Sequence, residues 1–242
     1  MSGHSKWSKI KRQKESNDRS RGLIFSKLSR LISMAVVEGG GMADPEHNIK
    51  LRFAMEKAQG YDMPKENIKR AIEKGAGPEK SLLRHVRYEA FGPHGVALLV
   101  TATTDNANRT TSEIKNTLEK HGGKLGNQGS VAYLFQECGI TSFDLSATTE
   151  EAVLEFADRI GALDFEKVGN DMIIYFPFVK LGRVKEYLKG LANRGADDYY
   201  RAISSLSMPS HVEEKKVINL VEALENLEDV HAVFTNMDIS HL

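Results

Sequence analysis

The chain has 242 residues, enough for one large or two to three small domains, and its 40% apolar and 27% charged content is that of an ordinary globular protein. A lone cysteine, Cys138, excludes an intrachain disulfide. Eight scattered histidines with no i,i+4 pair offer no zinc motif, and no apolar run approaches the roughly 20 residues of a membrane helix.

The zero net charge conceals a dipole. Residues 1–30 carry nine Lys/Arg against two Asp/Glu, residues 31–75 carry seven of each, and residues 76–242 carry seventeen against twenty-four. A basic arm with the only tryptophan, Trp7, inside it therefore precedes a mildly acidic body. Phosphate backbones reward concentrated cations because each neutralised phosphate releases a counterion, and an indole among lysines gives an unpaired base a surface to stack on. The plainer alternative is a solvated basic tail.

Apolar spacing predicts a helix over 18–38, with Ile24, Leu28, Leu31, Ile32 and Ala35 on one face and Arg19, Lys27 and Arg30 on the other. That basic stripe continues the arm and reads either as a contact face or as the wet side of an amphipathic helix. Gly39, Gly40 and Gly41 end it. A second helix is expected over about 45–59, with Gly60 past its end. A third opens at Pro64, with Ile68, Ala71 and Ile72 inward and Gly75 and Gly77 as its stop. Lys65, Lys69, Arg70 and Lys74 alternate there with Glu66 and Glu73, which predicts local ion pairing.

Beyond residue 79 the pattern turns mixed. Residues 84–91 and 96–103 read as a hairpin, followed by a helix over 107–120 closed by Gly122 and Gly123. A second hairpin, 131–135 with 140–143, is expected to turn at Gly139, which would put Cys138 at its tip. A helix over 149–160, strands near 163–168 and 171–177, a helix over 180–190 and a strand over 198–206 follow. Strand–turn–strand–helix would thus occur twice, near 84–120 and near 131–160. Ser210 and Glu213, spaced as a capping box, open the last helix, and 229–235 is a final strand. The fold class expected is α+β: a three-helix domain over 1–78, an α+β domain of 79–130 plus 207–242, and an α+β domain of 131–206 inserted into it.

Several blocks resemble one family nearly end to end. Gly3-His4-Ser5-Lys6-Trp7 followed by a Lys/Arg-rich run and Arg21-Gly22-x-x-Phe25, then Met63-Pro64-Lys65-x-Asn67-Ile68-x-Arg70-Ala71-Ile72, are similar to the opening half of the YebC/PmpR family. Tyr88-Glu89-x-Phe91-Gly92-Pro93-x-Gly95-Val96-Ala97, Thr104-Asp105-Asn106-x-Asn108-Arg109-Thr110, His121-Gly122-Gly123-x-Leu125-Gly126-x-x-Gly129-Ser130-Val131 and Leu227-Glu228-Asp229-Val230 continue the resemblance. It implies a helical domain followed by two intertwined, ferredoxin-like α+β domains. It also implies nucleic-acid contacts at Lys6, Trp7, Lys9, Lys11, Arg12 and Lys14, and then at Arg19, Arg21, Lys27 and Arg30. Lys11-Arg12-Gln13-Lys14 stands where relatives often have Lys-His-Arg-Lys, so charge is kept while individual roles shift. Because the family opening begins at residue 2, no mitochondrial presequence is expected, and a bacterial cytoplasmic protein is.

Two further clusters admit anion binding. Asp105, Asn106, Asn108 and Arg109 gather at a helix start, where Arg109 either meets phosphate or pairs with Asp105 beside an Asp105 or Asn106 cap. The 122–130 loop holds four glycines and either nests a phosphate, with Lys124 as backbone contact, or makes tight turns. It matches neither Gly-x-Gly-x-x-Gly nor a Gly-Lys-Ser/Thr loop. No catalytic constellation, metal site or cofactor is expected. The expected function is non-enzymatic regulation of gene expression through DNA. The alternative is a ribosome-associated translation factor contacting ribosomal RNA or tRNA. A third possibility is an enzyme whose basic arm is incidental. No membrane or small-molecule partner is expected, and the oligomeric state stays open.

Overall fold

The structure, a computed structural model, describes residues 18–78 and 83–238. It divides into two compact units, one gathering residues up to 132 with 208–233, the other 133–207 with the segment from 234.

The first unit opens with α1 (Asp18–Glu38), α2 (Ile49–Gly60) and α3 (Lys65–Ala76). Leu28, Ile32, Ala35 and Val36 of α1 are buried with Leu51, Ala54 and Ala58 of α2 and with Met63, Ile68 and Ala71 around α3. The glycines end α1 as expected: Gly41 N–H donates to the Val36 carbonyl at 2.8 Å, and Gly40 and Gly41 take φ of 70° and 91°. The second helix starts at Ile49, not near 45, because Asn48 is its cap. Asn48 Oδ1 accepts from Leu51 N–H at 3.1 Å, while Nδ2 donates to the Ala35 and Met42 carbonyls at 2.9 Å each. Gly75 does not stop α3 but lies within it: a Cβ there would sit 2.5 Å from the Ser33 carbonyl oxygen. Ser33 Oγ donates to the Ala71 carbonyl at 2.7 Å across the same close approach.

β1 (Arg84–Phe91) and β2 (Ala97–Thr104) pair antiparallel, Arg84 opposite Thr104 and Phe91 opposite Ala97, around a 3₁₀ turn at Pro93–Gly95. α4 (Ala107–Lys120), β3 (Lys124–Leu125), and much later α7 (His211–Glu225) and β9 (Val230–Thr235), complete a sheet of order β3-β1-β2-β9. Ile114 and Leu118 of α4 and Val217, Leu220, Val221 and Leu224 of α7 are buried, so both helices keep the apolar faces their spacing predicts. Ser210 caps α7, its Oγ accepting from Glu213 N–H at 3.4 Å, but Glu213 turns to His94 and Lys216 instead of closing a capping box.

The second unit is β4 (Phe135–Asp144), α5 (Glu150–Ile160), β5 (Asp164–Val168), β6 (Asp171–Pro177), a 3₁₀ turn at Phe178–Arg183 leading into α6 (Val184–Leu188), and β7 (Ala196–Ala202). Its sheet order, β5-β6-β4-β7 with antiparallel pairs, together with the βαββαβ sequence is ferredoxin-like. Phe143, Val153, Phe156, Ile160, Met172, Ile174 and Phe176 fill its core. A short parallel pair joins β8 (Leu206–Ser207) and β10 (Met237–Asp238).

The expected hairpin around Gly139 is absent. Residues 135–144 form one strand, and Gly139 sits mid-strand because a Cβ there would lie 2.2 Å from the Phe176 ring. Cys138 is consequently buried in a sheet, not placed at a tip, and burial raises its thiol pKa to about 11. With one strand in place of two, the expected repeat of strand–turn–strand–helix does not occur. The helix expected over 180–190 is a 3₁₀ turn up to Arg183 and an α-helix only over Val184–Leu188, and the strand expected over 198–206 is β7, set two to four residues earlier.

Candidate nucleic-acid interface

Lys6, Trp7, Lys9, Lys11, Arg12 and Lys14 lie outside the described residues, and Arg19 is described only as a backbone position on α1. Arg21 is exposed on α1. Lys27 and Arg30 do not face outward as free cations. They meet the chain where α7 runs into β9, a segment rich in acids. Lys27 Nζ donates to the Glu225 carbonyl, Ser26 Oγ to Glu228 at 2.9 Å, and Arg30 Nη2 to Glu228 at 2.6 Å. The other end of the Arg30 guanidinium pairs with Asp229. The hydrogen bond from Ser26, then the charge of Arg30, hold the Glu228 carboxyl below its usual range. Amphipathic spacing finds such a stripe but cannot tell an external anion from a carboxylate 198 residues away in the same chain.

Asp229 is the centre of this junction. It is 2% exposed and accepts from Thr104 Oγ1 at 3.0 Å, Thr110 Oγ1 at 2.6 Å and Arg109 Nη2 at 2.9 Å, as well as pairing with Arg30. Arg109 also donates to Asp105 at 2.9 Å, and Asn106 caps α4 by accepting from Arg109 N–H at 3.1 Å. Burial pushes the Asp105 carboxyl up, but the hydrogen bond and charge of Arg109 outweigh it and leave it low. The cluster at 105–109 thus takes the cap-and-pair arrangement. Local spacing carries no sign that Asp229 is the shared partner, because Asp229 lies 120 residues from Arg109.

The glycine-containing loop does nest an anion, and that anion is Glu89. Gly129 N–H donates to Glu89 Oε1 at 2.7 Å, and Val131 and Ala132 N–H donate to Oε2 at 2.7 and 2.8 Å. Burial raises the Glu89 pKa, and these three amides overcome it, so the group ends below its usual range. Lys124 stays outside the nest, exposed, its Nζ 5.6 Å from the centre of the Phe91 ring. The glycines at 92, 95, 122 and 123, with Phe91 and Lys124, line an open groove of about 310 Å³. Among the described residues no group of three His, Cys, Asp or Glu side chains could hold a metal ion, and no helix is long and apolar enough to cross a membrane.

Comparison with known proteins covers the whole of this architecture. Residues 5–78 match the TACO1/YebC protein N-terminal domain, and residues 83–237 match the TACO1/YebC second and third domain. A probable transcriptional regulatory protein of Chloroflexus aggregans is 40% identical over 250 residues, 99% of this chain and 96% of the relative. One from Aquifex aeolicus is 43% identical over 242 residues, with the same coverage of each. The crystal structure of a conserved hypothetical protein from Aquifex aeolicus superposes with a TM-score of 0.85 at 42% identity, covering 93% of both chains. With both family regions matched and relatives similar along their full length, the chain belongs to the TACO1/YebC family.

Proposed function

We propose that this protein is a non-enzymatic regulator of gene expression that acts in the cytoplasm by binding nucleic acid, with duplex DNA as its target. The observation that carries the reading is the segregation of charge: nine cations against two acids in residues 1–30, ahead of a body with a net excess of seven acids. Relatives named as probable transcriptional regulatory proteins support it. Lys6, Trp7, Lys9, Lys11, Arg12 and Lys14 are the proposed phosphate and base contacts, with Arg19 and Arg21 extending them. Lys27 and Arg30, engaged with residues 225–229, serve to hold α1 in place.

Fluorescence anisotropy with labelled duplexes tests the proposal. If about six phosphates are engaged, log K falls with log salt at a slope near −5. A flat salt dependence sinks the phosphate argument. Tighter binding to one promoter fragment than to its scrambled duplex at equal salt supports transcription. The lone Trp7 within the lysines favours a second reading, contact with irregular RNA on the ribosome. Cosedimentation with ribosomes that is lost in Lys11→Glu/Lys14→Glu would support that reading over the first.

A further inference from the structure

Local sequence predicts outward cations on α1 and self-neutralised cations on α3, and the structure shows the reverse. The two α1 cations furthest from the arm are held by residues 225–229. Lys65, Lys69, Arg70 and Lys74 of α3 are all exposed, and none forms an ion pair among the described residues, although Glu66 and Glu73 lie three or four positions from both Lys69 and Arg70. We propose that the exposed face of α3 is a second phosphate-binding surface for the backbone of the nucleic acid gripped by the basic arm, an inference that rests on the function proposed above.

Three features support it. The first is charge: the six ionic side chains of this face sum to +2, and cations with no ion-pair partner among the described residues are those that gain by displacing counterions from phosphate. The second is rigidity. Ile68, Ala71 and Gly75 are buried, Gly75 fits tightly against Ser33, and Ser33 Oγ is bonded to the Ala71 carbonyl. The backbone that presents the cations is therefore already ordered, and binding costs only side-chain freedom. The third is reach. At about 1.5 Å per residue, Lys65 and Lys74 stand about 13 Å apart along the axis, enough to engage separate phosphates. At about 100° per residue, Lys65 with Lys69 and Arg70 with Lys74 form two edges, with Glu66 and Glu73 between them. Such a face grips backbone along its edges and reads no base.

The test uses the full chain and a labelled 30-nucleotide duplex, with affinity followed from 50 to 300 mM salt. Lys65→Ala/Lys69→Ala/Lys74→Ala keeps a good helix former at each exposed site. It is expected to lower affinity at least about tenfold near 150 mM and to make the salt slope shallower by about 2 to 3. Glu66→Gln/Glu73→Gln is expected to tighten binding, which a damaged helix could not do. An unchanged slope in the alanine variant, with the parent chain binding in a salt-dependent way, overturns this surface and leaves the proposed function standing. Loss of affinity in both variants alike also overturns it, since charge would then not be the cause. A parent chain with no salt-dependent binding overturns the proposed function itself.

Discussion

Glu89 is an acid in the middle of an otherwise apolar stretch of β1, and its carboxylate receives three backbone N–H groups from the 129–132 turn. A buried ion so fully satisfied stabilises the turn, and removing its charge leaves amides unpaired. Glu89→Gln is expected to cost about 2–3 kcal/mol in urea denaturation, since one carboxylate oxygen becomes an NH₂ group facing N–H donors. His231 offers a separable pH effect. Its ring stacks on His85 with centroids 6.3 Å apart, and burial, reinforced by His85 and the cations Lys57, Lys27 and Arg30, pushes its pKa down to about 3. A group depressed in this way binds its proton more readily when unfolded. Stability is therefore complete above about pH 6.5 and is eroded as pH falls toward 3. Denaturation at pH 7.5, 6 and 5 is expected to show a decline of at most about 1.4 kcal/mol per unit below pH 6.5. His231→Phe is expected to flatten it, while the Glu89 contribution persists until about pH 4.3.

Among the elements, glycine separates what spacing can foretell from what it cannot. The ends of α1 and α5 follow from glycines that adopt positive φ, Gly40 and Gly41 at one and Gly161 at the other. Gly75 and Gly139 look the same in sequence yet sit inside a helix and a strand, where they admit the Ser33 backbone and the Phe176 ring. The distinction depends on what lies across the interface, which a local window does not contain. Gly75→Ala is expected to destabilise by about 1–3 kcal/mol despite its better helix propensity, because the added methyl meets backbone that has no rotamer to change. A lowered thermal midpoint would confirm it, and a raised one would show that α1 and α3 can part at no cost. β1, β2, α4, β5 and β6 were legible to within about a residue because period, caps and turns agreed there. Residues 131–144 were not, since Gly139 signals a turn and the strand continues through it.

On the scale of the molecule, the compact unit that joins the helices to the first sheet is held at Asp229, where Arg30, Thr104, Arg109 and Thr110 converge. Residues 104–110 and 227–230 carry the family resemblance, and here they form one junction, so much of that signature is explained by architecture. Asp229→Ala removes the carboxylate and leaves two guanidinium groups without their buried counter-ion. It is expected to cost about 3–5 kcal/mol and to speed hydrogen exchange in α1. Exchange in α1 as slow as in the parent chain would show that the junction does not secure the helix. Sequence by itself determined the family, the amphipathic faces, most helix and strand types, and the separation of a cationic arm from an acidic body. These are properties of composition and of neighbours within a few residues. Only the tertiary structure decided which charges are neutralised: Arg30 and Glu89 find partners 198 and about 40 residues away, while α3 keeps its cations exposed. Periodicity fixes which face of an element is polar, and the path of the chain fixes what that face meets.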